Sequence, residues 1–336
     1  MHIRLDTDFH SVSKFQARAS KQGSQEMAHG GPPVIMEQIR GFKGMRVSIP
    51  LFGLLLLAVP GLFGQDLLSK AEDLYRHTDY RASLATARES GQSSARACYL
   101  MGKDDFMLGD YKRSAEAFER AFSQEPRNAE YALWLGRSYG RRAETALPLL
   151  APKYADKARA YFEKAVALDP ENEGALSDLF DYYLEAPGFL GGGLDKAEGV
   201  AQRMGRRDPA EGHLAQARLA ERRKQYDTVE EQLRRAIDLA PRQVGRVLDL
   251  ARYLSTQGRI PESEAAFDRA KQLAPDSPRV AFARAQTYIE QKRNLGQAKA
   301  LLNQYLQSDL TPDDPSREQA EKLLRQAALL LEASGV

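Results

Sequence analysis

The sequence predicts an all-α fold, a superhelical solenoid of about seven helix pairs followed by a capping helix. Three observations predict it. First, a small or apolar residue recurs five positions before a proline. Second, two residues that are four positions apart lie upstream of each such proline. Third, the copies of this pattern follow one another at coherent spacing. Residues four apart share a helical face, and a proline cannot continue a helix. Units that repeat in this way bury a core only by stacking on their neighbours.

The second helix of each predicted unit carries the clearest markers. The residue five positions before the proline occurs as Ala121–Pro126, Ala165–Pro170, Met204–Pro209, Ala236–Pro241 and Ala270–Pro275. The upstream pair, usually a small residue and then a bulky one, occurs as Ser114/Phe118, Ala158/Phe162, Ala197/Ala201, Val229/Leu233 and Ser263/Phe267. This order predicts second helices that turn one face inward and end at the proline.

The first helix of each unit is marked by a large residue followed by a small one. Leu135 and Gly136, with Tyr139 three residues on, show this best. Weaker copies are Met101–Gly102, Leu250–Ala251 and Arg284–Ala285. Glycine or alanine at this position lets a neighbouring helix approach closely.

These motifs resemble the tetratricopeptide repeat, with its L-G-x2-Y, A-x3-F and closing-proline pattern. The segments GDYKRSAEAFERAFSQEP (109–126) and KARAYFEKAVALDP (157–170) are similar to its second helix. The resemblance covers about 66–312, but the consensus tryptophan is absent, and Trp134 lies two residues from that slot. It implies a non-enzymatic scaffold that binds a partner protein or peptide in the concave groove.

The predicted array spans 66–312 and a capping helix spans 316–332. The helix pairs are expected at about 66–90, 95–126, 129–170, 173–209, 210–241, 244–275 and 278–310. Ser316 is the expected N-cap of the last helix. Two units are too long, with their extra residues around 141–152 and 186–193. Both extras are predicted between paired helices, so they should bulge from the same edge and lie close enough to touch.

The segment before the array predicts export. Residues 47–64 hold no charge and follow Lys43 and Arg46, which is the layout of a signal peptide. The densest apolar run is short for a membrane-spanning helix. We therefore expect 45–64 to be a signal peptide cleaved near Gly64–Gln65. One alternative is a retained signal anchor that leaves the repeats facing outside. Another is that the segment is a buried helix of the soluble protein.

Residues 1–44 show no usable periodicity and are expected to be unstructured. One interpretation is that they are not part of the mature product, with Met36 or Met45 as the start in place of Met1. The other is a disordered cytoplasmic tail.

Four cations occupy equivalent slots on the first helices, which should line the concave face: Lys103, Arg137, Arg218 and Arg252. As a stripe they would suit an acidic or C-terminal carboxylate ligand. The alternative is a solvated face paired with acids such as Asp178, Glu185, Glu221 and Asp249. Tyr99 and Trp134, on the same helices, are candidate contacts for a peptide, or else core residues.

The glycine-rich loop at 187–193, PGFLGGG, is the most unusual local sequence. It lacks the following Lys-Ser/Thr of a phosphate-binding loop, so we expect the glycines to serve a turn with positive φ. Phe189 and Leu190 are predicted to be exposed there as a loop contact.

Several function classes are unlikely on composition. Residues 65–336 hold 41 basic and 42 acidic residues, a net charge of −1, which argues against nucleic-acid binding. His77 and His213 lie far apart and outside any metal-ligand spacing, so we expect no catalytic residues, cofactor or metal. The single cysteine, Cys98, is expected in the core. The acid pairs at 104–105 and 313–314 are interpreted as turn and helix-start residues.

Two further functions remain open at this point. One is a membrane-anchored subunit for envelope assembly or secretion, which requires that the 47–64 segment is retained. The other is a solenoid that binds a glycan or small ligand through Trp134, Tyr139 and the two insertions.

Overall fold

A computed structural model describes residues 60–91 and 93–333. Within those residues the protein is all-helical, with fifteen α-helices, one short 3₁₀ turn at Gly188–Leu190 and no strand. The helices are α1 Pro60–Arg76, α2 Tyr80–Glu89, α3 Ala95–Met107, α4 Tyr111–Gln124, α5 Ala129–Thr145, α6 Ala151–Leu168, α7 Glu173–Glu185, α8 Leu194–Arg207, α9 Pro209–Arg222, α10 Tyr226–Leu239, α11 Val244–Thr256, α12 Ile260–Leu273, α13 Pro278–Glu290, α14 Leu295–Leu306 and α15 Arg317–Ala333.

The helices pack as seven consecutive pairs, α1/α2 to α13/α14, and α15 closes the array against α13 and α14. The predicted solenoid of seven pairs and a capping helix is thus confirmed. The first helices of most successive pairs also touch one another and form an inner layer. In α5, every residue from Tyr131 to Tyr139 is buried.

The predicted close approach at the small first-helix residues is also found. A Cβ atom added to Gly136 would lie 2.5 Å from the ring of Phe162, and one added to Gly102 would lie 2.8 Å from the ring of Phe118. The aromatic residue of the second helix therefore sits directly on the backbone of the first. No larger residue fits there unless the ring moves.

A buried serine hydroxyl joins the two helices in three of the pairs. Ser83, Ser114 and Ser263 donate to the carbonyls of Ala71, Gly102 and Ala251 at 2.8, 2.9 and 2.7 Å. In each case the two residues are twelve positions apart, so the same contact repeats in register. Each serine satisfies its own buried hydroxyl in this way.

The helix ends follow the expected chemistry. Ser316 and Gln319 form a reciprocal capping box, with both hydrogen bonds at 3.3 Å, which confirms the predicted N-cap. The pair boundary at Pro209 differs from the others. There Asp208 ends α8 and caps α9 at once, without a linker, so the closing proline becomes the first residue of the next helix.

The two insertions differ from each other. Most of the first lengthens α5 and α6 to 17 and 18 residues, and only 146–150 form the linker, so the expected loop over 141–152 was too long. The second is the 3₁₀ turn, followed by positive φ at Gly191 and Gly193, as predicted. The turn packs against α6, so the insertions are neighbours.

The predicted tail at 1–44 and residues 45–59 of the predicted signal segment lie outside the described residues. The expected cleavage position, Gly64–Gln65, falls within α1. Among the described residues, no helix is both long enough and apolar enough to cross a membrane.

Candidate binding face

The ammonium group of Lys103, in the second helix pair, lies among rings from three successive first helices. Its Nζ lies 4.2 Å from the ring centre of Tyr75, 5.3 Å from that of Tyr99 and 5.7 Å from that of Trp134. Cation–π attraction to these rings holds the ammonium group in place. Burial lowers the pKa of Lys103, and the carboxylates of Glu130, Asp104 and Asp313 oppose that shift.

Glu130 orders two of these rings. Its Oε1 atom accepts hydrogen bonds from the hydroxyl of Tyr99 at 3.0 Å and from Nε1 of Trp134 at 2.8 Å. The indole is only 3% exposed and stacks on Phe118. Of the two predicted peptide contacts, Trp134 is therefore a core residue, and Tyr99 is half-buried beside Lys103.

Arg137 is inside the protein and not on an open stripe. Its Nε donates to Asp178 Oδ2 at 2.7 Å, and the side chains of the pair are 8% and 2% exposed. Burial raises the pKa of Asp178, and the guanidinium of Arg137 partly offsets that rise. The pair joins α5 to α7, so it holds the inner layer together across two units.

The other two predicted cations also meet carboxylates. Arg218 pairs with Asp181 and lies 4.0 Å from Glu185, which joins α9 to α7. Arg252 pairs with Asp249 at 2.7 Å within α11. Asp178 and Asp249, two of the acids expected from the sequence to be local partners, do pair with these cations. These cations therefore connect residues within and between first helices, and they do not form a uniform positive surface.

Asp104 and Asp105 were interpreted as turn residues, and this was wrong. Both are buried within α3, and Asp104 is 0% exposed. Desolvation raises the pKa of Asp104 to about 8 and that of Asp105 to about 6. Ser83 Oγ lies 2.8 Å from both Asp104 Oδ2 and the carbonyl of Ala71.

The hydrogen bond from Ser83 to Asp104 stabilises the charged carboxylate, so it partly offsets the rise in the pKa of Asp104. A hydroxyl has one proton, so Ser83 donates either to this carboxylate or to the carbonyl of Ala71 at any one time. The only sequence signal for this arrangement was the apolar surroundings of 104–105 on a first helix.

The carboxylates of the last linker affect the tyrosines of the first helix pair. Burial is the main cause that raises the pKa of Tyr75 and of Tyr80, and the carboxylate of Asp313 adds to both shifts. Asp314 is buried and accepts from Arg279 and from Thr311, each at 2.9 Å. Asp314 therefore ties the 311–315 linker to α13.

The predicted loop contact is exposed as expected at Phe189, which is 72% accessible. Leu190 is half-buried, and its carbonyl accepts from the hydroxyl of Tyr182 at 2.8 Å. Trp134 and Tyr139, the two rings that were expected to stack on a sugar, are both buried. That form of the glycan-binding hypothesis is inconsistent with the structure.

Other reactive side chains have ordinary surroundings. Cys98 is buried, as expected. His213 lies 2.6 Å from Gln232 Oε1 through its Nδ1 atom. Within the described residues, no group of three or more His, Cys, Asp or Glu side chains is placed to hold a metal ion.

Comparisons with known proteins agree with the architecture. Residues 99–173 and 248–315 match the sequence profile of a tetratricopeptide repeat family. A tetratricopeptide repeat protein from Parabacteroides merdae superposes with a TM-score of 0.53 at 15% identity, over 80% of this chain and 100% of its own. No curated protein sequence matches the chain.

Two further solved structures are similar over about half of the chain. A thermophilic TPR protein from Thermus thermophilus has a TM-score of 0.47 at 20% identity, and covers 57% of this chain and 98% of its own. MamA from Desulfovibrio magneticus RS-1, from residue 41 to its end, has a TM-score of 0.38 at 14% identity, and covers 53% and 94%.

Proposed function

We propose that this chain, whose residues 99–173 and 248–315 match a tetratricopeptide repeat family, is a non-catalytic scaffold for an extended partner segment. The segment binds along the inner face of the first helices. Repeats of this kind generally mediate protein–protein interaction, and solenoids offer extended concave surfaces for it. Function depends on the side chains of that surface and not on the fold alone.

The observation that carries the proposal is the position of Lys103. Its ammonium is fixed by rings from α1, α3 and α5, so one cation is presented where three first helices meet. A group held in this way loses little conformational entropy when a ligand binds. We infer that it meets a carboxylate of the partner, which makes the partner segment acidic at that point.

Arg218 and Arg252 have a secondary role in this proposal. Both are already paired with carboxylates on first helices. An incoming acidic group would have to compete with those partners, whereas an incoming basic group would compete for the carboxylates. Arg218 and Arg252 therefore help to fix the position of the bound segment along the groove, and they contribute less to the attraction of an acidic ligand.

The test is capture of partners by the full chain in three forms: wild type, Lys103→Glu and Lys164→Glu. Lys164 is exposed on a second helix, α6, and so is a matched control for charge reversal outside the inner face. We expect the partner to be retained by Lys164→Glu and weakened about tenfold or more by Lys103→Glu. Equal capture by both variants would overturn the proposal.

A folding control accompanies this test, because Lys103 contacts three rings. Lys103→Arg keeps the positive charge, and a guanidinium group also makes cation–π contacts, so this variant should fold and bind more tightly than Lys103→Glu. Circular dichroism of each variant then separates loss of binding from loss of structure. A folded Lys103→Glu protein with unchanged partner affinity would contradict the assignment of the groove.

We further propose that the repeats function outside the cytoplasm. The support is the uncharged 47–64 segment behind Lys43 and Arg46. Cell fractionation with N-terminal sequencing tests this. A soluble exported product that begins near Gln65 supports cleavage, a membrane-bound full-length product supports the retained anchor, and a full-length cytoplasmic product contradicts export.

A further inference from the structure

The two insertions carry a cluster of exposed apolar side chains. Among the described residues, eight large hydrophobic side chains are exposed, and four of them lie in these two short segments: Leu147, Leu149, Leu150 and Phe189. Leu149 is 90% exposed and Leu147 is 73% exposed. Single exposed apolar residues are common, whereas a cluster of them marks an interaction surface. We call these four residues the insertion patch.

The two parts of the patch both lie beside α6. Leu150 directly precedes α6, and the 3₁₀ turn that carries Phe189 packs against the same helix. The side chain of Arg159 lies against Gly191, just after that turn. Arg159 is eight residues into α6, so the two parts of the patch are about 12 Å apart along the helix axis.

Cationic side chains surround the patch. Lys153 and Lys196 are exposed beside its two parts, and Arg142 lies near the first part, where its guanidinium donates to the hydroxyl of Tyr154 at 2.9 Å. Asp195, at the start of α8, is an exposed acid of the same edge.

Most of the remaining acids of this edge have a cationic partner within the chain. Glu144 pairs with Arg141, while Asp156 and Glu163 share the single guanidinium of Arg159. The exposed charge next to the leucines therefore has only a small positive excess, which comes from Lys153 and Arg142.

We propose that the insertion patch docks on the surface of an anionic lipid bilayer. Leu147, Leu149 and Leu150 stand on a protruding linker and not in a groove, which suits insertion at the boundary of headgroups and acyl chains. Leucine and phenylalanine side chains gain by burial there, and nearby lysines gain from anionic headgroups. Neither contribution is large alone, and the two together give stable but reversible attachment.

A local probe tests this without interference from the N-terminal segment. The single native cysteine, Cys98, is buried, so a Leu149→Cys variant of the full chain takes one environment-sensitive fluorophore at the patch. A Leu329→Cys variant, at an exposed leucine of α15, is the matched control. With vesicles of phosphatidylcholine and phosphatidylserine, we expect a blue shift and increased emission at position 149 only.

Loss of the apolar side chains should lower partitioning into those vesicles. Each leucine that inserts contributes enough burial for about a tenfold change in the partition coefficient, so Leu147→Ser with Leu149→Ser should lower it by about a hundredfold. If the N-terminal segment holds the chain on vesicles by itself, total partitioning does not report the patch. In that case a fluorophore attached to a Phe189→Cys variant should lose its blue shift when Leu147→Ser and Leu149→Ser are also present. Added salt should weaken attachment, and neutral vesicles should give less of it.

Three results would overturn the proposal. One is an unchanged spectrum at position 149 in the presence of anionic vesicles. Another is an equal shift at positions 149 and 329. The third is a shift at 149 that depends on protein concentration and needs no vesicles, which would assign the patch to contact between copies of the chain.

Discussion

The first four helix pairs and the last three reach the same architecture by different packing. The front half, α1–α8, is packed with aromatic rings. Eleven of the twelve ring–ring contacts among the described residues lie between Tyr75 and Tyr183. The core of the rear half, α9–α15, is mainly aliphatic. The paired-helix geometry therefore does not depend on one type of core side chain.

The two halves also differ in their buried polar groups. The front half has Asp104, Asp105, Arg137 and Asp178 inside the inner layer. The rear half also buries charged groups, but each has a partner closer to water. Arg246 pairs with an Asp208 side chain that is 45% exposed, and Asp314 pairs with an Arg279 side chain that is 33% exposed. A buried polar group costs free energy when it loses its partner. The front half should therefore be the more sensitive to change.

The single tryptophan makes this comparison measurable. Trp134 is buried in α5, so its fluorescence reports the front half, whereas far-ultraviolet circular dichroism reports all of the helices. Repeat arrays unfold as neighbouring units with coupling between them, so the two signals need not coincide.

The largest effect is expected from Arg137→Met. Removal of the guanidinium leaves Asp178 buried without its partner, which should cost about 3–5 kcal/mol of the free energy of unfolding reported by Trp134. The rear counterpart, Arg252→Met, should cost about 1 kcal/mol, because the Arg252–Asp249 pair is nearer to water. Urea denaturation checks both variants.

The control for Arg137→Met is a double variant. Arg137→Met with Asp178→Leu removes both charges and should recover most of the loss, since an apolar pair of similar volume is tolerated in place of a buried ion pair. Equal losses for Arg137→Met and Arg252→Met would mean that the halves do not differ in this respect.

The next largest effect on stability is expected at Gly136, which lies under the ring of Phe162. Gly136→Ala puts a Cβ atom 2.5 Å from the ring of Phe162, so overpacking should cost about 1–3 kcal/mol. The rear half has Ala251 at this slot, and Ala251→Gly should cost about 1 kcal/mol through helix propensity and a small void. Thermal unfolding followed by fluorescence and by circular dichroism measures each change.

A smaller second residue should rescue the first variant. The double variant Gly136→Ala with Phe162→Leu has more room above the new methyl group. Its loss of free energy of unfolding should therefore be smaller than the sum of the losses of the two single variants. Strict additivity would show that the ring is displaced at no cost, contrary to this packing argument.

Stability of the front half should also depend on pH. The pKa of Asp104 in the folded chain is about 8, above its unfolded value of about 4, so the folded state binds more protons between these values. This contribution is fully present below the unfolded pKa and is lost as the pH rises toward 8. We expect a loss on the order of 1–3 kcal/mol from pH 5 to pH 8 in the Trp134 signal.

Asp104→Asn separates this cause from others. Asparagine is neutral at every pH, so the slope between pH 5 and 8 should become flatter, and the variant should be the more stable protein at pH 8. Asp105→Asn should act over a lower range, because the pKa of Asp105 is about 6. A wild-type protein that gains stability from pH 5 to pH 8 would refute the raised pKa of Asp104.

The repeat pattern predicted the fold because each unit repeats the same local signals. Gly136, the serine at 114 and the closing prolines each have a direct steric or hydrogen-bonding role, and those roles survive in any copy of the unit. The insertion at 141–152 was misplaced because its residues continue the helical pattern of α5 and α6. Extra turns of helix look like linker residues when only the unit length is counted.

The candidate site was less predictable, because partners come from other units. Equal spacing correctly put Lys103 and Arg137 in equivalent slots, but their surroundings depend on residues far along the chain. Asp178 meets Arg137 across 41 positions, and nothing local to either residue indicates this. The same spacing therefore produced one cation among aromatic rings and one buried ion pair.

The smallest expected effect tests how the two halves are joined. Arg218 and Arg222 of α9 pair with Asp181 and Glu185 of α7, across the boundary that has no linker. These side chains are only partly buried, so Arg218→Gln with Arg222→Gln should cost about 1 kcal/mol in all. The loss should appear mainly as a separation of the fluorescence and circular dichroism transitions, because the changed contacts lie between the halves and not within either.

Arg235→Gln is the matched control for this pair of changes. Arg235 pairs with Glu231 at 2.6 Å within α10, and both side chains are more than half exposed, so its loss should change stability by less than about 0.5 kcal/mol. It should leave the two transitions as far apart as in the wild type. If Arg235→Gln separates them as much as the α9 changes do, the α7–α9 ion pairs do not couple the halves. Coupling would then rest on the apolar and backbone contacts around Asp208, where α8 passes directly into α9.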